Sequence, residues 1–109
     1  KDINLWVSSN SSNAAKLMKA FAHFGISLIG VEQSDFATPG TQFSIGVTPC
    51  EIDFLTTIPG LYFTDAWENK VTCQQNNFPI HYVGKQDLIK AKQTAGRPQD
   101  LADIDELTR

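Results

Sequence analysis

No apolar run in this sequence approaches the roughly 20 residues of a membrane span, and no segment reads as a signal peptide. Cysteine is scarce: only Cys50 and Cys73, in no CxxC pattern and near no histidine partner. That spacing excludes the usual structural zinc sites, and two free thiols in a cytoplasmic protein are expected. Positive charge is also thin. Nine Lys and Arg against twelve Asp and Glu give a formal net charge of −3, and only Lys85 to Arg97 holds a loose basic group. Such a balance offers no electrostatic reason to bind nucleic acid. Repeats and low-complexity segments are missing too.

What is present argues for a packed globule. Hydrophobic residues make up 41% of the 109-residue chain, and seven Phe and two Trp supply bulk for one modest core. The size fits a single domain over 1–109.

Periodicity places the elements. Ile3 to Val7 alternates as a strand. Ala14, Leu17, Met18, Phe21 and Phe24 recur at three and four, which predicts an amphipathic helix capped by Ser11 or Ser12 and ended by Gly25. A looser stretch runs from Ile26 to Gly40. Phe43 to Val47 and Glu51 to Thr56 then read as a hairpin across Thr-Pro-Cys. Beyond Pro59-Gly60, Phe63, Ala66 and Trp67 mark a short helix. Val71 to Cys73 and Ile80 to Val83 are two more strands about the turn QQNN. Two helical patterns close the chain, one with Leu88, Ile89 and Lys92 and one with Leu101, Ile104 and Leu107. Gly96-Arg97-Pro98 divides them, with Pro98 suited to a first helical turn. The order β-α-β-β-α-β-β-α-α belongs to a mixed-sheet α/β (α+β) domain.

Asp2 and Asn4 are two apart, so a strand projects both from one face while Ile3, Leu5 and Val7 take the other. Asp53, between Ile52 and Phe54, points away from its apolar neighbours in the same way. If its strand lies beside the first, Asp2, Asn4 and Asp53 converge as oxygen ligands for a hard cation such as Mg²⁺. The plainer reading of Asp2 and Asn4 is the polar face of an edge strand.

Four phrases in order, KDINLWV, FSIGVTPCEIDFLT, FTDAWEN and DLIKAKQTAGRPQDLAD, cover nearly the whole chain. They resemble the minimal prokaryotic nucleotidyltransferases related to abortive-infection and toxin–antitoxin proteins. The resemblance implies a nucleotidyltransferase-like fold and Mg²⁺-dependent transfer of a nucleotide from a nucleoside triphosphate to an acceptor it does not name. It casts Asp2 and Asp53 as catalytic residues that hold the metal with Asn4, and Lys92 and Arg97 as contacts to the nucleotide's phosphates. Family members carry a second aspartate where Asn4 stands, so one negative charge is missing here. They also carry a helix and a Gly-rich phosphate-binding turn ahead of this strand, which implies a domain lacking that element. Slow or absent turnover is the expected consequence. The alternative is a catalytically degenerate binding or oligomerisation module, a homodimer or one component of a two-protein system, with no membrane partner.

The remaining polar residues have simpler roles open to them. Arg97, Asp100 and Asp103 are equally suited to tying the last two helices together. Trp6 and Trp67 read as packing residues, and His23 sits near a helix C-terminus where a cation is favoured. His81 has no partner legible in the sequence.

Overall fold

A computed structural model describes residues 3–47 and 49–109. Lys1, Asp2 and Thr48 lie outside the described residues, so the expectation for Asp2 has no geometry to meet. The described residues form a mixed α+β protein with four α-helices, a short 3₁₀ helix and two small sheets. The chain divides into two units, Lys1–Thr57 and Ile58–Arg109.

The first unit holds β1 (Ile3–Trp6), α1 (Ser11–Phe24), the 3₁₀ helix Gln33–Ala37, β2 (Gln42–Val47) and β3 (Cys50–Leu55). β3 is the central strand. β1 runs parallel to it on one side and β2 antiparallel on the other. A parallel neighbour cannot be reached by a tight turn, and α1 lies in the connection that brings the chain back. Alternation gives the sheet two different faces. Ile52 and Phe54 share one with Phe43 and Ile45, and that face builds the core with Ala14 and Phe21 of α1 and with Phe36.

α1 starts one residue earlier than the expected serine cap allows. Asn10 is the cap: its backbone is extended, and its Oδ1 accepts the Asn13 N–H at 2.8 Å. Asparagine caps as well as serine does, so composition alone did not separate them. Gly25, at φ 73°, ends the helix in the left-handed region where a side chain is disfavoured. His23 lies in the last turn, a position the helix dipole favours for a cation.

The stretch read as loose is more ordered than its composition suggested. The Asp35 carboxylate accepts the Glu32 N–H at 2.8 Å and starts the 3₁₀ helix, which drops Phe36 into the core at 1% exposure. Thr56 then pins this segment to the end of β3. Its buried hydroxyl donates to the Thr38 carbonyl at 2.8 Å and accepts the Thr41 N–H at 2.9 Å.

The second unit holds α2 (Phe63–Glu68), β4 (Val71–Gln75), β5 (Phe78–Tyr82), α3 (Lys85–Ala95) and α4 (Pro98–Leu107). β4 and β5 extend further toward their turn than the sequence suggested. Asn76 and Asn77, at φ 49° and 69°, form a two-residue turn of the kind that matches strand twist, so Gln74, Gln75 and Phe78 join the ladder. Gly96, at φ 65°, stops α3, and Pro98 opens α4. No helix of the described residues is long and apolar enough to cross a membrane.

Candidate cation and nucleotide site

The face of the first sheet opposite the core carries a polar row. Asn4 of β1 pairs in register with Asp53 of β3, and Asp53 pairs in register with Ser44 of β2. Each of the three sits between residues of the other face, so the pleat turns all three side chains the same way. The condition set by the sequence, that the Asp53 strand lie beside the first, is therefore met for Asn4 and Asp53. Asp53 is half-buried between two exposed neighbours. Ser44 Oγ donates to Asp53 Oδ1 at 2.6 Å, within the short range of a hydroxyl on a carboxylate. Trp6 shares this face, and its indole N–H donates to the Thr56 carbonyl at 3.4 Å, which ties the end of β1 to the end of β3.

Ser44 is a neighbour that sequence reasoning missed. The signal was present, because Ser44 lies between Phe43 and Ile45 as Asp53 lies between Ile52 and Phe54. Setting the hairpin register would have placed the two opposite each other. Among the described residues there is no group of three or more His, Cys, Asp or Glu side chains placed to hold a metal ion.

In the second unit Lys92 and Arg97 both meet aspartates. Lys92 Nζ donates to Asp103 Oδ2 at 2.8 Å and lies 4.0 Å from Asp100 Oδ1. Arg97 grips Asp100 through Nε at 2.7 Å and Nη2 at 3.3 Å, and its backbone N–H donates to Oδ2 at 3.2 Å. Asp100 is buried, and burial alone would raise its pKa. The Arg97 hydrogen bonds outweigh that and hold the carboxyl below its usual range, with the Arg97 and Lys92 charges adding to the effect. The same contact holds the Arg97 guanidinium above its ordinary value. Asp100 and Asp103 thus tie α4 to α3, the structural role open to them in the sequence. Lys92 Nζ thus already faces two carboxylates of α4. Arg97 keeps most of its side chain in solvent.

His81 does have a partner. Its Nδ1 lies 2.9 Å from Thr72 Oγ1, and its ring meets the edge of Trp67 with centroids 4.8 Å apart. Trp67 also stacks on Phe63 and carries Lys70 Nζ over its ring at 4.1 Å, which is the packing role expected of it. A separate cleft of about 310 Å³ at the start of α3 is lined by Asn69, Val71, Gly84, Lys85, Gln86 and Asp87. Neither Lys92 nor Arg97 lines it.

No family model, curated protein or solved structure matches this chain.

Proposed function

We propose that this chain is a nucleotidyltransferase-like protein that binds Mg²⁺ and a nucleoside triphosphate on the polar face of its first sheet. The observation that carries the reading is the register of Asn4 beside Asp53 on the face turned away from the core. Neighbouring strands lie roughly 4.7–4.9 Å apart, so a carboxylate and an amide oxygen from paired positions are close enough to share one ion. Both are hard oxygen donors, the type Mg²⁺ takes, and so these residues fit the ion in kind. Asp53 would hold it with its charge and Asn4 with an uncharged oxygen. Asp2, two residues before Asn4 in the sequence, would add the second carboxylate. When bound, Mg²⁺ offsets the charge that develops on phosphate oxygens during phosphoryl chemistry. The single carboxylate supplied by the Asn4–Asp53 pair makes a weaker site than two would, and nucleotide transfer is expected to be slow or absent.

Calorimetric titration of the full chain with Mg²⁺–ATP and with Mg²⁺–GTP tests this. Binding that needs the metal is expected for at least one nucleotide. Asp53→Ala should weaken it by about tenfold or more, the worth of one charge-assisted contact. Heat that Asp53→Ala leaves unchanged would place the nucleotide elsewhere and sink the reading. Absence of heat with either nucleotide would leave the second reading standing, that of a binding or oligomerisation module. That reading is favoured by the β4–β5 ribbon, every residue of which is exposed, including Val71, Phe78 and Tyr82. Under either reading the exposed thiols of Cys50 and Cys73 suit the reducing cytoplasm.

A further inference from the structure

We propose that the open face of the β4–β5 ribbon is a self-association surface that takes a second copy of this chain. The proposal rests on the alternative reading, that of an oligomerisation module, and names its surface and its occupant. The ladder pairs Val71 with Tyr82, Cys73 with Ile80 and Gln75 with Phe78. Paired residues of an antiparallel ribbon project from the same face, and alternation puts Thr72, Gln74, Pro79 and His81 on the other. That other face has support. The His81 ring meets Trp67 of α2, and its Nδ1 lies 2.9 Å from Thr72 Oγ1. The first face stays open to solvent: Phe78 is 70% exposed, Val71 51%, Tyr82 47% and Ile80 37%.

Charge decides the occupant. Neither strand of the ribbon carries a Lys, Arg, Asp or Glu, although these make up 19% of the chain. Such a face offers no charge to a nucleic acid, an anionic membrane or a charged peptide. A two-fold contact sets the same patch of both copies together, so the patch must complement itself. A neutral apolar face does so with no like charges opposed. The area points to a weak contact. Aromatic side chains bury about 150–250 Å² each, so the four apolar residues expose on the order of 400 Å². Two copies face to face would take about 800 Å² from water, and the exposed Cys73 and Gln75 add to it. That total belongs with small, transient interfaces, so the dimer depends on concentration.

The test is sedimentation equilibrium of the full chain from micromolar to millimolar concentration. The wild type is compared with Phe78→Glu and, on the opposite face, with Gln74→Glu. Both positions are exposed, and thermal melts establish that each variant is folded. The expected result is a monomer–dimer equilibrium whose Kd rises about tenfold or more in Phe78→Glu, the scale of a lost aromatic anchor. Gln74→Glu should leave the equilibrium where it is. In a Cys50→Ser background, a thiol cross-linker that spans the roughly 10 Å between stacked sheets should join two copies through Cys73. A monomer at every concentration overturns the inference and the oligomerisation reading together. A dimer that Phe78→Glu leaves intact, or that Cys73 does not join, overturns the inference while oligomerisation through another surface survives. A monomeric wild type that floats with uncharged lipid vesicles would give the face to lipid and overturn it as well.

Discussion

Phe21→Ala is expected to cost the first unit about 3–5 kcal/mol, most of what a domain this small has to lose. Phe21 is 2% exposed on the inner face of α1, and its ring centroid lies 5.6 Å from Phe36, 5.8 Å from Phe43 and 5.0 Å from Phe54. One side chain therefore joins the helix, the 3₁₀ segment and both strands of the hairpin. The edge-on rings at Phe43 and Phe54 add quadrupole attraction to the burial of apolar area. Truncation leaves a cavity walled by rigid rings that cannot collapse into it, and its lining loses dispersion contacts outright. Phe24, one turn further along the same helix, is 83% exposed, and Phe24→Ala should stay within about 0.5 kcal/mol of the wild type. Urea unfolding of the two variants side by side makes the comparison. Equal losses would contradict the placement of the core.

Asp100→Asn is expected to destabilise the second unit at neutral pH and to remove part of its acid sensitivity. Asp100 is buried where the start of α4 meets the side chains of Arg97 and Lys92. Its folded pKa is depressed, chiefly by the hydrogen bonds from Arg97. A group of that kind contributes stability fully present above its unfolded value, near about 3.9. The contribution is lost as pH falls through the lower folded value. Wild-type helix signal should therefore weaken progressively below about pH 4 as Asp100 takes up a proton. Asparagine keeps the shape but cannot titrate, and it accepts from Arg97 without the charge. Its melting temperature should be lower than the wild type's at pH 7 and should change less with pH across the acid range. Thermal melts followed at the helix band check both. An unchanged acid slope would mean that other carboxylates set it.

The parts of this fold that the sequence made legible are those governed by local chemistry. α1, α3 and α4 follow from three-and-four spacing, and glycines that take the left-handed backbone end α1 and α3. The hairpin of β2 and β3 follows from two alternating runs across a short turn. Part of what escaped depends on contacts distant in sequence. The 3₁₀ helix Gln33–Ala37 carries one buried aromatic, Phe36, and a single apolar residue has no period to read. The extent of β4 and β5 escaped for a local reason, because the turn is only Asn76–Asn77 and so Gln74 and Gln75 pair across the ribbon.

Much the same holds for the candidate site. Residue types and alternation singled out Asn4 and Asp53, but their pairing rests on a parallel contact that only the path through α1 creates. Ser44 was hidden for the opposite reason, since a serine in an apolar run carries no signal until the register is known. Lys92 was open to two roles because its partners, Asp100 and Asp103, reach it only when α4 folds back on α3. The resemblance carried by the four sequence phrases raised the cation reading. The sheet geometry bears on that reading through two residues of the three.

Paramagnetic broadening by Mn²⁺, which stands in for Mg²⁺ at oxygen sites, tests the central claim most directly. An amide spectrum of the full chain is followed as Mn²⁺ is added at substoichiometric amounts, first alone and then with ATP. The account predicts that the signals of Asn4, Asp53 and Ser44 fade before those of other residues, and that Asp53→Ala protects them. Uniform broadening, or loss that begins at exposed carboxylates such as Asp105 and Glu106 and spares the sheet face, would contradict it.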